Sequence, residues 1–150
     1  MSFKLRKKSN LPNNPSAVVL SNESQELYAE TRAAYHDRFQ PADQVESDLV
    51  DRIVAIQWRL DRTVAMEAAG INLAMKAGAQ AISESMGTVD GVTRAALAIQ
   101  ALEGPEGLNG ILLRSEASLS ARYHNAVDHL LAIQSRRWTR EENEKMQERT

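Results

Sequence analysis

The chain has 150 residues, a formal net charge of −2 at pH 7, 43% hydrophobic and 25% charged residues; it is long enough to bury a core and has the composition of an ordinary soluble domain. Cysteine is absent, which excludes disulfides, thiolate metal sites and thiol catalysis and makes a reducing cytoplasm the expected setting. No run approaches the roughly 18 apolar residues of a membrane span, and the basic start Met1 to Lys8 meets Pro12 and Pro15 before any signal-like apolar segment.

Residues 1–16 are basic, then rich in Asn, Pro and Ser, and are expected to form a disordered arm. Ala17 to Leu20 reads as a short extended apolar patch that docks on the fold. Ser21 or Asn22 is the expected cap of a first helix, Glu23 to Phe39, with Leu27, Thr31, Ala34, Tyr35 and Phe39 on its apolar side and Tyr28 beside them. Pro41 stops that helix, because the residue before a proline is pushed out of the α region.

Asp43 and Glu46 then have the spacing of a capping box. From there to Met86 no proline interrupts, and Leu49, Ile53, Ile56, Leu60, Val64, Ala68, Ile71, Met75, Gly78 and Ile82 recur at three- and four-residue steps. One very long helix follows, about 65 Å if it runs unbroken at 1.5 Å per residue. Val50, Val54 and Trp58 add a second apolar row to its first half, so that half is expected to touch two neighbours. Its second half is rich in alanine, and a bend or break is expected near Gly70 or Gly78, each glycine weakening a helix by roughly 1 kcal/mol.

Thr88 or Asp90 opens a short third helix with Val92, Ala95, Ala96, Ile99 and Leu102 expected to be buried. Glu103 to Gly107 is a loop. Asn109 is the expected cap of a fourth helix with Leu112, Leu119, Tyr123, Ala126, Val127, Leu130 and Ile133 as its stripe. From Arg140 the charges alternate, as in a solvated helical extension or a frayed tail. These segments predict an all-α helical bundle around a long central helical hairpin, the second and fourth helices antiparallel and the other two covering them. The organisation is a basic arm (1–16), one helical domain (17–139) and a charged extension or tail (140–150). No internal repeat of fixed period occurs.

Few residues carry recognisable chemistry. No Glu-x-x-His pair of a di-iron bundle occurs, since alanine stands three residues before each of His36, His124 and His129. His124 and Asp128 share a helix face beside Tyr123, as in an acid/base pair or half a metal site, but no third ligand is identifiable and a surface hydrogen bond is the preferred reading. Gly104, Gly107 and Gly110 precede a helix as in a phosphate loop, yet the lysine is missing and Glu103 and Glu106 would repel an anion. No Gly-x-Ser-x-Gly elbow supports a nucleophile.

Two basic clusters remain. Lys4, Arg6, Lys7 and Lys8 form an acid-free start, and Arg136, Arg137 and Arg140 surround Trp138. Arginine next to an aromatic side chain suits phosphate and base contact. The preferred reading of the second cluster is structural, cations near a helix C-terminus with Trp138 closing the core; that of the first is a solubilising tail, given a pI of about 5.9.

The block from Val18 to about Ala69, with Ser21 to Tyr28, Pro41 and Trp58-Arg59-Leu60-Asp61-Arg62, resembles a family of short uncharacterised bacterial proteins. Leu119 to Tyr123 is more weakly similar to the opening of that family's last helix. The arm here is shorter and the stretch from Ala65 to Ala81 differs. The resemblance implies helical architecture and a bacterial cytoplasmic setting, with no catalytic residue.

The expectation is a non-enzymatic interaction or assembly protein without cofactor or metal. It self-associates or takes a protein partner through Ala65, Ala69, Gly70, Leu73, Ala77, Gly78 and Ala81 of the long helix. The alternative is a nucleic-acid-binding accessory protein using Lys4, Arg6, Lys7, Lys8, Arg136, Arg137, Trp138 and Arg140. A third reading is an enzyme or metal protein centred on Tyr123, His124 and Asp128.

Overall fold

The structure is a computed structural model that describes residues 18–103 and 107–148. Among these residues there is no strand, and the helices are α1 (Gln25–Phe39), α2 (Gln44–Met86), α3 (Gly91–Ala101) and α4 (Leu108–Glu148). The fold is all-α. The expected arm of residues 1–16 lies outside the described residues, as does most of the loop before α4.

Helix termini follow local hydrogen-bond chemistry. Ser24, not Ser21 or Asn22, caps α1 by accepting from the Leu27 amide at 3.1 Å. The earlier candidates are consumed in a turn, in which the Glu23 amide donates to the Leu20 carbonyl and the Leu20 amide donates to Glu23 Oε2. At the other end Gln40 adopts the left-handed conformation (φ 45°) and its amide donates to the His36 carbonyl, just before Pro41. The box before α2 forms with one change. Asp43 Oδ1 accepts from the Glu46 amide at 2.9 Å, but Glu46 reaches back to the amide of Ala42 rather than that of Asp43.

The break expected at Gly70 or Gly78 is absent, for α2 runs uninterrupted through both. Gly70 serves close packing: a Cβ there would stand 2.5 Å from Leu108 Cδ2 of α4. Asn109 does not cap α4, which already begins at Leu108, with the Gly107 carbonyl accepting from Ile111. The buried Asn109 Oδ1 has no partner among the described residues. Past Arg140 the chain stays helical to Glu148, as the helix-favouring Glu, Lys, Gln, Met and Arg there allow.

The chain divides into two compact units, one made of residues through Trp58 with those from Arg122 onward, the other of Arg59–Ala121. In the first, α1 packs on the start of α2 and the later part of α4. Glu46 lies beside Gln134 and Arg137 while Ile56 shares a cleft with Arg122, so α2 and α4 run antiparallel there. Its core contains Leu49, Val50, Ile53, Val54, Ile56, Ala126 and Leu130. Val18, Val19, Tyr28, Tyr35, Val54 and Trp58 form a cluster at one side, where the Tyr28 and Trp58 rings meet edge to face at 5.3 Å. Tyr28, not Leu27, is the buried aromatic anchor of α1, and Leu27 is exposed.

The second unit has a thinner interior. Among the described residues Thr63, Ala98, Leu112 and Leu119 are its buried ones, whereas Val64, Leu73, Val92 and Leu113 are well exposed. The expected face of α3 is wrong: Val92 points to solvent and Ala98 is buried. Periodicity favours the side carrying Val92, Ala95, Ala96 and Ile99, but packing buries the opposite side around Ala98 and leaves Val92 and Ile99 exposed.

Candidate functional site

Two polar clusters and two surfaces hold the residues with functional potential. The first cluster centres on Asp51, which is 1% exposed. Arg32 binds it with two parallel hydrogen bonds, Nε to Oδ1 at 2.6 Å and Nη2 to Oδ2 at 2.9 Å, and His36 Nε2 lies 2.7 Å from Oδ1. Arg32 and His36 stand four apart on α1 and so share a face. The hydrogen bond to Asp51 raises the Arg32 pKa. Burial, with Asp51 as a further cause, pushes the neighbouring Tyr28 phenol up. The arrangement joins two helices by a charge-assisted fork.

The second cluster surrounds Glu46, also 1% exposed. Its Oε2 accepts from the Ala42 amide at 2.9 Å and from Gln134 Nε2 at 3.3 Å, and the same Gln134 nitrogen donates to the Phe39 carbonyl. Oε1 is 3.2 Å from Arg137 Nε. The two atoms are close enough for an ion pair but misaligned for a hydrogen bond. Arg137 therefore neutralises a buried carboxylate and is not a free cation.

Arg136 and Arg140, by contrast, are exposed. Both grounds for reading this cluster as a helix end are overturned. Trp138 is 52% exposed and does not close the core, and α4 continues to Glu148, so the arginines lie well before the last turn, where the helix dipole acts. Lys4, Arg6, Lys7 and Lys8 lie outside the described residues. Tyr123 places its hydroxyl 3.5 Å from that of Tyr35, while His124 and Asp128 are exposed. Among the described residues no group of three His, Cys, Asp or Glu side chains is arranged to hold a metal ion.

On the second half of α2, Ala65, Ala69, Leu73, Ala77 and Ala81 are all exposed, Leu73 at 70%. Gly70 and Gly78 are half-buried, Gly70 against Leu108. These two glycines thus belong to the inner side of the helix, and the exposed row is the i, i+4 series centred on Leu73. Beyond it an apolar groove of about 260 Å³ runs between α2 and α3, lined by Met75, Gly78, Ile82 and Met86 from one and by Arg94, Leu97, Ala98 and Ala101 from the other, among others.

The fork on Asp51 escaped sequence reasoning. Its signal was a single acid inside the apolar run from Leu49 to Ile56, with Arg32 and His36 at helical spacing upstream. No known family model, curated protein or solved structure matches the chain. Among the described residues no helix is long and apolar enough to cross a membrane.

Proposed function

We propose that this is a non-enzymatic helical assembly protein of the cytoplasm that self-associates through the second half of α2. The observation that carries this reading is Leu73, a large apolar side chain 70% exposed in the middle of a row of exposed alanines. Exposed apolar surface of this kind is stabilised by removal from water, by about 25 cal/mol per Å². The thin interior of the second unit supports the same reading, since its own folding covers few of its apolar side chains.

The row also has a symmetry suited to a second copy. Ala65 and Ala69 precede Leu73 by eight and four residues, and Ala77 and Ala81 follow it by four and eight. In a two-fold antiparallel pairing about Leu73, Ala69 meets Ala77 of the partner, while Ala65 and Ala81, turned away to either side, lie at the margins of the contact. Small residues along an i, i+4 ridge let two helices approach closely. Size-exclusion chromatography with light scattering is expected to find a dimer or higher species that Leu73→Glu converts to monomer. A strict monomer at high micromolar concentration would overturn the proposal.

A second reading rests on Trp138, exposed within α4 between Arg136 and Arg140. It makes the chain a nucleic-acid-binding accessory protein, with retention on oligonucleotides that falls steeply with salt. Unchanged retention after Arg136→Ala and Arg140→Ala would argue against it.

A further inference from the structure

Within the first unit, α2 and α4 enclose a cleft of about 290 Å³ that none of the roles above uses. Its floor is core: Leu49, Ile56 and Ala126 are 5%, 4% and 7% exposed. Arg52 on α2 and Arg122, Asn125 and His129 on α4 form its walls, and all four side chains are exposed. Residues 49, 52 and 56 share one helix face, and 122, 125, 126 and 129 share another, so two rigid helices set the arrangement.

Among the described residues no carboxylate lines this cleft. Asp51, next to Arg52, turns to Arg32 and His36, and Asp48, one turn before Arg52, accepts from Gln44. Among the described residues neither Arg52 nor Arg122 is paired with an acid. The neighbouring cleft around Arg136, Arg137 and Arg140 differs, because Asp43 and Glu46 line it too and offset its charge.

Arg52 and Arg122 bring two permanent positive charges to one cleft, so an anion seated there meets both guanidiniums. We propose that this cleft binds the phosphate group of a small phosphate monoester. Arg52 and Arg122 take the phosphate oxygens, whose double negative charge matches two guanidiniums. Asn125 and His129 add donors, and the organic part of the ligand lies over Leu49, Ile56 and Ala126. Planar guanidiniums suit this group because each presents paired N–H donors to two oxygens.

The test is isothermal titration of the full chain with inorganic phosphate and with phenyl phosphate at constant ionic strength. Saturable binding of both is expected, tighter for phenyl phosphate. Arg52→Ala and Arg122→Ala should each weaken it about tenfold or more; both side chains are exposed, so circular dichroism should show an unchanged fold. Arg136→Ala with Arg140→Ala should leave it intact. Absence of binding, or binding that survives the Arg52→Ala/Arg122→Ala double variant, overturns the proposal. So does retention of a single-stranded oligonucleotide without any response to phosphate or phenyl phosphate.

Discussion

Arg32 and Asp51, nineteen residues apart, are locked by two hydrogen bonds of 2.6 and 2.9 Å between α1 and α2, and the two ends of that fork differ in environment. The Asp51 side chain is 1% exposed and that of Arg32 is 42% exposed. The asymmetry decides which substitution is worse. Arg32→Ala leaves a buried carboxylate with His36 as its remaining side-chain hydrogen-bond partner, and should destabilise the fold by about 2 kcal/mol. Asp51→Leu removes the buried charge itself and lets Arg32 turn to water, so its effect should be smaller although it deletes the same ion pair. Urea unfolding followed by circular dichroism checks the order, and a larger loss in Asp51→Leu would contradict it.

Glu46 and Arg137 present the complementary case, with both partners largely enclosed. Glu46→Gln keeps an acceptor for the Ala42 amide but leaves Arg137 without a counter-charge, and Arg137→Ala leaves Glu46 without its cation. Each single change should destabilise by about 2–3 kcal/mol, with the double variant losing clearly less than the sum. Additive losses in a double-mutant cycle would show that the 3.2 Å approach carries no coupling. The same geometry makes Arg137 a poor probe of nucleic-acid binding, because its removal perturbs the fold.

The two glycines of α2 should respond differently to alanine. At Gly78 a new Cβ meets Ile82 Cδ1 at 3.5 Å, an ordinary contact, so Gly78→Ala should stabilise by about 0.5–1 kcal/mol through helix propensity. At Gly70 it falls on Leu108 Cδ2 at 2.5 Å, and Leu108 must leave its rotamer, which costs on the order of 1 kcal/mol and cancels the gain. Thermal unfolding of the two variants side by side measures the difference. A Gly70→Ala protein as stable as Gly78→Ala would mean that Leu108 moves freely.

These contrasts mark what was legible in the sequence. The position and ends of α2 were, because a capping box and a row of apolar residues are local signals, and so was the all-α class. The continuity of α2 through Gly70 and Gly78 was not, since glycine weakens a helix locally and packing holds it. The buried faces of α1 and α3 were not, since Leu27 and Tyr28 are adjacent and the more apolar side of α3, with Val92 and Ile99, is the one left exposed; tertiary packing chose Tyr28 and Ala98. The residues after the Arg136 to Arg140 cluster lack an apolar stripe and so suggest a helix end there, yet their helix propensity extends α4 to Glu148. The cleft of Arg52, Arg122, Asn125 and His129 joins residues seventy or more apart in sequence on two helices, and no spacing within either one announces it.

Asp90 gives the clearest dependence on pH. Its carboxyl lies below the ordinary carboxylate range, held there first by the Thr93 amide and next by the Thr93 hydroxyl, at 2.9 and 2.8 Å. A folded pKa below the unfolded one contributes stability above the unfolded value, and that contribution is lost as pH falls through the folded value. The start of α3 should therefore hold its cap through mild acid and weaken only in strongly acidic solution. Asp90→Asn keeps an oxygen for the Val92 and Thr93 amides but has no charge to titrate, so its stability should lack this acid-dependent component. Urea unfolding midpoints of both proteins, measured at intervals from pH 7 down to pH 2, provide the check. The wild-type advantage should shrink toward the acid end; an advantage that stays constant or grows there would show that the Asp90 charge contributes nothing to the cap.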